Sequence, residues 1–206
     1  MREGIYYDDN MWAAVSFEAG DGWDMHFGNL PVKWGEGRFA TVQLNPTFEP
    51  YGNVLIQKQI GGLKLQLLHG SLTNEAALDD SLGYRFLAAH RLDWQTDQWR
   101  LGLAEYCIYH RTSPELQYLI PVALWRPIEH NLWDRDNVGF GIDGHLFLLE
   151  NMKIYISLFL DDLSLSKIGS SHAVNKHAAL IGWEWAKLPF NSHIFVEQYL
   201  IRPYVY

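Results

Sequence analysis

The sequence predicts an all-β chain that folds as an antiparallel up-and-down transmembrane β-barrel. Three observations carry that expectation: long runs with a period of two, connections that alternate between short and long, and tryptophans gathered near the short ones. The clearest stretch is Gly83 to Glu105, GYRFLAAHRLDWQTDQWRLGLAE, where two alternating runs flank the polar turn Gln95-Thr96-Asp97. In the first run Tyr84, Phe86, Ala88, Leu92 and Trp94 share a face, and Arg85, Leu87, Ala89, Arg91 and Asp93 share the other. Each run is about as long as a tilted strand needs to be to cross a bilayer. One face is apolar and the other carries charge, which suits lipid outside and a polar lumen inside. A soluble sandwich also alternates; strand length and tryptophan placement favour the membrane.

The remaining elements follow in order. Met11 to Ala19 alternates, with Ala13, Val15 and Phe17 against Trp12, Ser16 and Glu18, and Gly20-Asp21-Gly22 turns the chain. Trp23, Met25 and Phe27 continue the pattern. Leu30 to Gly52 reads as a long connection holding a short strand at Phe39 to Leu44. Asn53 to Ile60 and Leu63 to Leu67 flank Gly61-Gly62, a two-residue hairpin turn. In the run after Asp97, strict alternation puts Glu105 on the apolar face with Leu101 and Leu103, so a β-bulge at Ala104-Glu105 is expected. His110 to Asp136 is the longest connection, and no helix is expected in it. Val138 to Leu148, Ile154 to Leu160 and Ala179 to Trp185 alternate again. Ser192 to Ile201 is a last strand whose phase is ambiguous, because Glu197 and Gln198 are adjacent. This makes about ten strands in one domain spanning 1–206.

Short turns fall at 20–22, 61–62, 95–97, 150–151 and 188–191, and long connections at 31–52, 71–83, 110–136 and 162–173. Because they alternate, all short turns lie at one end of the sheet, as in outer-membrane barrels with short periplasmic turns. Trp23, Trp94, Trp99 and Trp185 sit near those turns and would form one interfacial girdle. Both chain ends then fall at the outer rim. The start, MREGIYYDDN, lacks the apolar stretch of a signal peptide. The expectation is therefore a segment of a larger barrel, with an N-terminal export signal and periplasmic part and C-terminal strands missing.

Composition narrows the function classes. A formal net charge of −8 argues against nucleic acid, which is bound through clustered Lys and Arg. Aromatic residues reach 15 %, a level suited to a membrane interface or to stacking on sugars. The mean hydropathy of −0.15 fits a barrel, which exposes only alternate residues to lipid. The single Cys107 permits no internal disulfide. The nine histidines have no HxxxH or HxH spacing, so no metal site and no cofactor are expected.

The connection Glu115 to Asp136, ELQYLIPVALWRPIEHNLWDRD, is the candidate glycan-binding site. It offers Trp125 and Trp133 as exposed rings, with Arg126, His130, Asp134, Arg135 and Asp136 for hydroxyl and acidic groups. The competing reading is a loop folded over the barrel mouth, with packed tryptophans and locally paired charges. Lys33-Trp34-Gly35-Glu36-Gly37-Arg38 reads first as a constrained turn inside the barrel, and second as a close backbone approach to a ligand. Arg85, Arg91, Asp143, Lys153 and Asp161 are expected to face the lumen. No catalytic residue is expected. Ser170-Ser171-His172 is the one nucleophile pairing in view, and it lacks a nucleophile elbow.

Several stretches resemble the Wzi family of capsule-assembly proteins, which are outer-membrane β-barrels. They are Gly28 to Phe39 (GNLPVKWGEGRF), Leu63 to Leu72 (LKLQLLHGSL), Phe86 to Trp94 (FLAAHRLDW), Asp134 to Gly141 (DRDNVGFG), Leu160 to Lys167 (LDDLSLSK) and Arg202 to Tyr204 (RPY). They occur in the family's order over most of the chain. The family's export signal and periplasmic portion have no counterpart here, nor does the run that follows an Arg-Pro-Tyr segment. The resemblance implies a non-catalytic, lectin-like protein that holds or organises surface polysaccharide at the outer membrane of a Gram-negative-type cell. Its partners would be that polysaccharide and outer-membrane lipid. No glycan-site residue is transferred from it. The alternatives are a substrate-specific outer-membrane channel and a barrel enzyme acting on lipid or glycan.

Overall fold

Period-two alternation is realised as ten strands: β1 (Ala14–Gly20), β2 (Trp23–Gly28), β3 (Gly52–Ile60), β4 (Leu63–Leu72), β5 (Tyr84–Gln95), β6 (Trp99–Arg111), β7 (Asn137–Leu149), β8 (Met152–Asp161), β9 (Lys176–Leu188) and β10 (Ser192–Ile201). The computed structural model describes residues 11–46, 51–72, 84–121, 123–133, 135–161 and 176–202. All ten strands form a single antiparallel sheet in sequence order, with β1 and β10 as its edges. It is a meander, not two packed sheets and not a closed cylinder. Every odd-to-even connection is short, so all the hairpin turns stand at one end.

The two faces differ in kind. One face is covered by the connection after β2, residues 29–46, and is called the inner face here. Strand alternation puts Gln66, Arg91, Asp93, Arg100, Asp143, His145, Lys153 and Glu184 on it. The outer face carries Leu101, Leu103, Ile142, Ile154, Ile156, Ile181 and Val196, which are between 38 % and 60 % exposed. Arg91 and Asp143, by contrast, are 1 % and 0 % exposed. Burial here is the reverse of the usual globular order, where charges face water and aliphatic side chains fill the core.

The sheet curls around the covering segment. Asn53 on β3 donates to the Leu30 carbonyl at 3.0 Å, and the Arg38 amide donates to Glu197 on β10 at 2.5 Å. Laid flat, β3 and β10 would be about 34 Å apart at the ordinary strand spacing. Eight residues span at most about 28 Å when fully extended, and this segment folds back, with the Trp34 amide bonded to the Leu44 carbonyl at 3.0 Å. Trp34 and Val32 pack there with Leu55, Leu68, Leu87, Ala89, Ala104 and Tyr106, giving the inner face a small apolar core.

Several expectations need correction. Residues 39–44 form no strand; Thr41 and Gln43 instead direct their polar groups into the covering segment and the inner face. The register of β6 with β5 and β7 runs without a break through Ala104 and Glu105, so there is no bulge and Glu105 stays on the outer face. Bulges lie instead beside hairpin turns, at Glu18/Gly20, Phe147/Leu149 and Ser192/Ile194. The connection after β6 is not wholly irregular: it holds a 3-10 turn, Leu116–Leu119, and a short helix, α1, Trp125–Asn131. In β10, Glu197 faces inward and Gln198 outward, which resolves the phase.

Gly102 marks a tight point in the packing of the inner face. A Cβ there would lie 1.9 Å from Arg91 Nη2, so the guanidinium lies directly across the glycine. Gly102→Ala is expected to lower stability by about 1–3 kcal/mol through overpacking. Denaturant midpoints measured at unchanged slope test this; an unaltered midpoint would show that the guanidinium is free to move.

Candidate functional site

The inner face is built around Arg91. Its Nε and Nη2 donate to Asp93 at 2.8 and 2.6 Å, and its Nη1 and Nη2 donate to Asp143 at 2.6 and 2.9 Å. Asp93 lies two residues along β5, on the same face, whereas Asp143 reaches from β7, past Gly102 of the intervening β6. Arg100 Nη2 bridges Asp143 at 2.7 Å and Glu36 at 2.6 Å. Gln66 donates to Asp93 at 2.7 Å, and Gln43 donates to Asp143 at 3.1 Å. Buried charge is tolerable only when paired and hydrogen-bonded, and these planar bidentate contacts supply both.

Glu36 ties the covering segment to this network. It accepts from Arg100, lies 2.6 Å from His145 Nδ1, and stands 3.9 Å from Lys153 Nζ. Burial pushes its carboxyl up, but the His145 hydrogen bond and the charges of Arg100, His145 and Lys153 outweigh that and hold it at about 2. Gly35 and Gly37, on either side, have φ of +94° and +146°. Cβ atoms there would meet Thr41 Oγ1 at 2.1 Å and the Ala40 carbonyl oxygen at 1.8 Å. Trp34-Gly35-Glu36-Gly37 is thus a constrained turn held inside the curled sheet, the first of the two readings of this motif. Toward the hairpin end the segment leaves a polar cavity of about 470 Å³, lined by residues including His26, Lys33, Gln57, Lys64, Gln95 and Arg100.

The connection after β6 lies elsewhere. It packs on the outer face of β5, β6 and β7, where Tyr118 and Trp125 close over Phe86, Ala88, Cys107, Tyr109 and Val138. Glu105 is capped there: both its oxygens accept from the Trp125 amide at 3.0 Å, Oε1 accepts from the Arg126 amide at 3.2 Å, and His90 Nε2 stands at 3.1 Å. Asp136 accepts a bidentate pair from Arg111 at 3.0 and 2.9 Å, and a hydrogen bond from Tyr118 Oη at 2.8 Å.

The predicted residues therefore separate into groups. Arg85, Arg91, Asp143, Lys153 and Asp161 all fall on the inner face. Trp125 is not an exposed ring; it is 1 % exposed, 4.3 Å from the His90 ring, and serves packing. Arg126 pairs with Glu129, and Asp136 with Arg111, so both charges are used within the chain. Trp133, at 82 % exposure and φ +72°, and the exposed Arg135 are left open to a ligand. Asp134, the His130 side chain and Ser170-Ser171-His172 lie outside the described residues. Glu36, Gln43, Asp93, Arg100 and His145 were missed as members of one cluster. Only the clustering of inward charge on the flanking strands hinted at it.

Among the described residues no three His, Cys, Asp or Glu side chains are placed to hold a metal ion. The carboxylates of Glu36, Asp93 and Asp143 are engaged by cations and amides. Elsewhere on the inner face Ser16 Oγ lies 2.8 Å from His26 Nδ1, and the Tyr155 and Tyr199 hydroxyls donate to Glu197 at 2.7 and 2.9 Å. The arrangement orders a segment inside a curled sheet. Comparison with protein-family models, curated proteins and solved structures yields no match for the chain.

Arg91→Met is expected to destabilise by about 3–5 kcal/mol, because it strands two buried carboxylates. Arg91→Lys should recover only part of the loss, since an ammonium cannot make both bidentate contacts. Paired unfolding curves check this; a neutral Arg91→Met would show that the carboxylates find other cations. Glu36 adds a pH dependence. Its folded value lies below the ordinary 4.5, so its contribution is present above pH 4.5 and is lost as pH falls toward 2. The stability difference between wild type and Glu36→Gln should therefore shrink over that window. A difference independent of pH would mean that Glu36 acts through shape alone.

Proposed function

We propose that the sheet curls into an outer-membrane β-barrel that holds or organises surface polysaccharide without catalysis. The observation that carries the membrane reading is the inverted polarity of the two faces: aliphatic side chains exposed outward over buried inward charges. Lipid outside and a polar interior make both faces favourable at once. Trp23 and Trp94 add to it, standing on the outer face beside hairpin turns at 40 % and 53 % exposure. Lys58 supports the same level, with its ammonium 5.0 Å from the Trp23 ring and bonded to the Asp21 carbonyl, as a snorkelling side chain would be. In lipid the edges β1 and β10 must be paired, with each other or with further strands.

The polysaccharide role rests on the Wzi resemblance, and Trp133 and Arg135 are the residues best available to it. An exposed ring stacks on a sugar face, and a nearby guanidinium suits an acidic polysaccharide. The segment 29–46 inside the curled sheet supports a role other than free conduction. The channel alternative keeps one point in its favour, the polar cavity at the hairpin end.

The membrane reading requires detergent or lipid to keep the folded chain monodisperse; a monodisperse sample in plain buffer would overturn it. The glycan reading expects purified capsular polysaccharide to be retained, and Trp133→Ala to weaken retention about tenfold, near 1.4 kcal/mol. Retention unchanged in Trp133→Ala and Arg135→Ala would remove this site. Steady conductance across a planar bilayer would favour the channel instead.

A further inference from the structure

We infer that the connection between β6 and β7 is a lipid-facing cover, which shields a polar patch of the barrel wall and presents its own apolar side chains to the acyl chains of the outer leaflet. The inference rests on the membrane reading and deepens it.

The patch is an interruption of the apolar outer face. Going up β6 from the hairpin end, Trp99, Leu101 and Leu103 are followed by Glu105, Cys107 and Tyr109. Glu105 lies about 20 Å along the strand from Trp99 at the usual rise per residue. With a tilt near 40°, that is roughly 15 Å above the tryptophan level, inside an apolar band about 25 Å tall. A bare carboxylate there would face hydrocarbon. Instead α1 begins over it, and the Trp125 and Arg126 amides bind it.

Around α1 and the 3-10 turn the cover leaves four large aliphatic side chains exposed, beside Gln117 and Asn131. Leu116 and Leu124 are 74 % and 68 % exposed, and Leu119 and Ile120 are 44 % and 46 %. Against water these would be four large aliphatic side chains left open on one short connection. Against lipid they continue the surface of Leu101, Leu103 and Ile142, and the wall stays apolar where its strands do not.

A lipid environment also requires peptide groups to be satisfied within the chain, and several amides of the cover are. The amides of Gln117, Tyr118, Ile120 and Ala123 donate to Glu115, Gln117 or Ile120 oxygens. Those of Trp125 and Arg126 donate to Glu105. Pro114, Pro121 and Pro127 have no N–H to satisfy.

The test is depth measurement by nitroxide labels on a Cys107→Ser background, with the protein folded into phosphatidylethanolamine–phosphatidylglycerol vesicles. One label goes at Leu124→Cys and a second at Leu119→Cys. A reference goes at Ile156→Cys, on the outer face of β8, away from the cover. Collision rates with oxygen and with a water-soluble nickel chelate are compared. The expected result is oxygen-dominated relaxation at all three positions. If Ile156→Cys is oxygen-dominated while both cover labels meet the chelate, the cover lies in water and this inference falls, with the barrel left standing. If all three meet the chelate, the membrane reading falls and takes the inference with it.

Discussion

The structure depends on one arginine held between two aspartates. Arg91 projects from β5 onto a face where Asp93 of its own strand and Asp143 from β7 supply four short acceptors. A guanidinium has five donors in a fixed plane, so it can satisfy two carboxylates only if all three groups are held in register. The hairpin pairing of β5 with β6 and of β6 with β7 sets that register, and Gly102 supplies the space. Burial of the cluster would be unfavourable without this geometry. With it, the polar inner face becomes a specific surface on which the segment 29–46 can be ordered through Glu36 and Gln43.

The same constraint explains why the outer face is apolar. Inward charges occupy alternate residues, and the residues between them on β5 to β9 are mostly apolar, among them Leu92, Leu101, Leu103, Ile142, Ile154, Ile156 and Ile181. A sheet with water on that face would expose an apolar patch far larger than single scattered side chains. Where the alternation fails, at Glu105, the chain adds a second layer from the following connection. The inner segment and the outer cover therefore do related work on opposite faces. One brings polar groups to a charged surface, and the other brings peptide amides to a stray carboxylate and aromatic rings to Tyr109 and Phe86.

Much of this was legible in the sequence, and the rest was hidden for a definable reason. Alternation identified the strands and put Arg91, Asp93 and Asp143 on one face, because side-chain direction along a strand is local information. It could not say that Arg91 meets Asp143 across β6, since that depends on register between strands far apart in the chain. The mismatch at Glu105 was visible, but a bulge was the wrong remedy. A bulge is the only repair available within a strand, whereas the actual repair comes from residues twenty positions later. Trp125 was open to both readings for the same reason: a tryptophan between prolines has no local signature that separates stacking on a ligand from packing on a neighbour, and the structure shows packing. Trp133, in the same connection, is exposed.

The placement of Glu36 bears on how the interior of the curled sheet is held. Its carboxylate joins the segment to Arg100 on β6, His145 on β7 and Lys153 on β8 at once, beside the apolar contacts of Trp34 and Val32 and the hydrogen bonds of Gln43. The Arg38 amide and the Ala40 carbonyl then extend the attachment to Glu197 and Tyr199 of β10. Swinging the segment out would break contacts to at least these four strands together and leave Arg100 facing Asp93 and Asp143 without Glu36. Coupled contacts of this kind favour a fixed interior over a gate, because no single weak link can open while the others hold. On the proposed function, a fixed interior would leave ligand binding to exposed residues such as Trp133 and Arg135 rather than to a path through the centre.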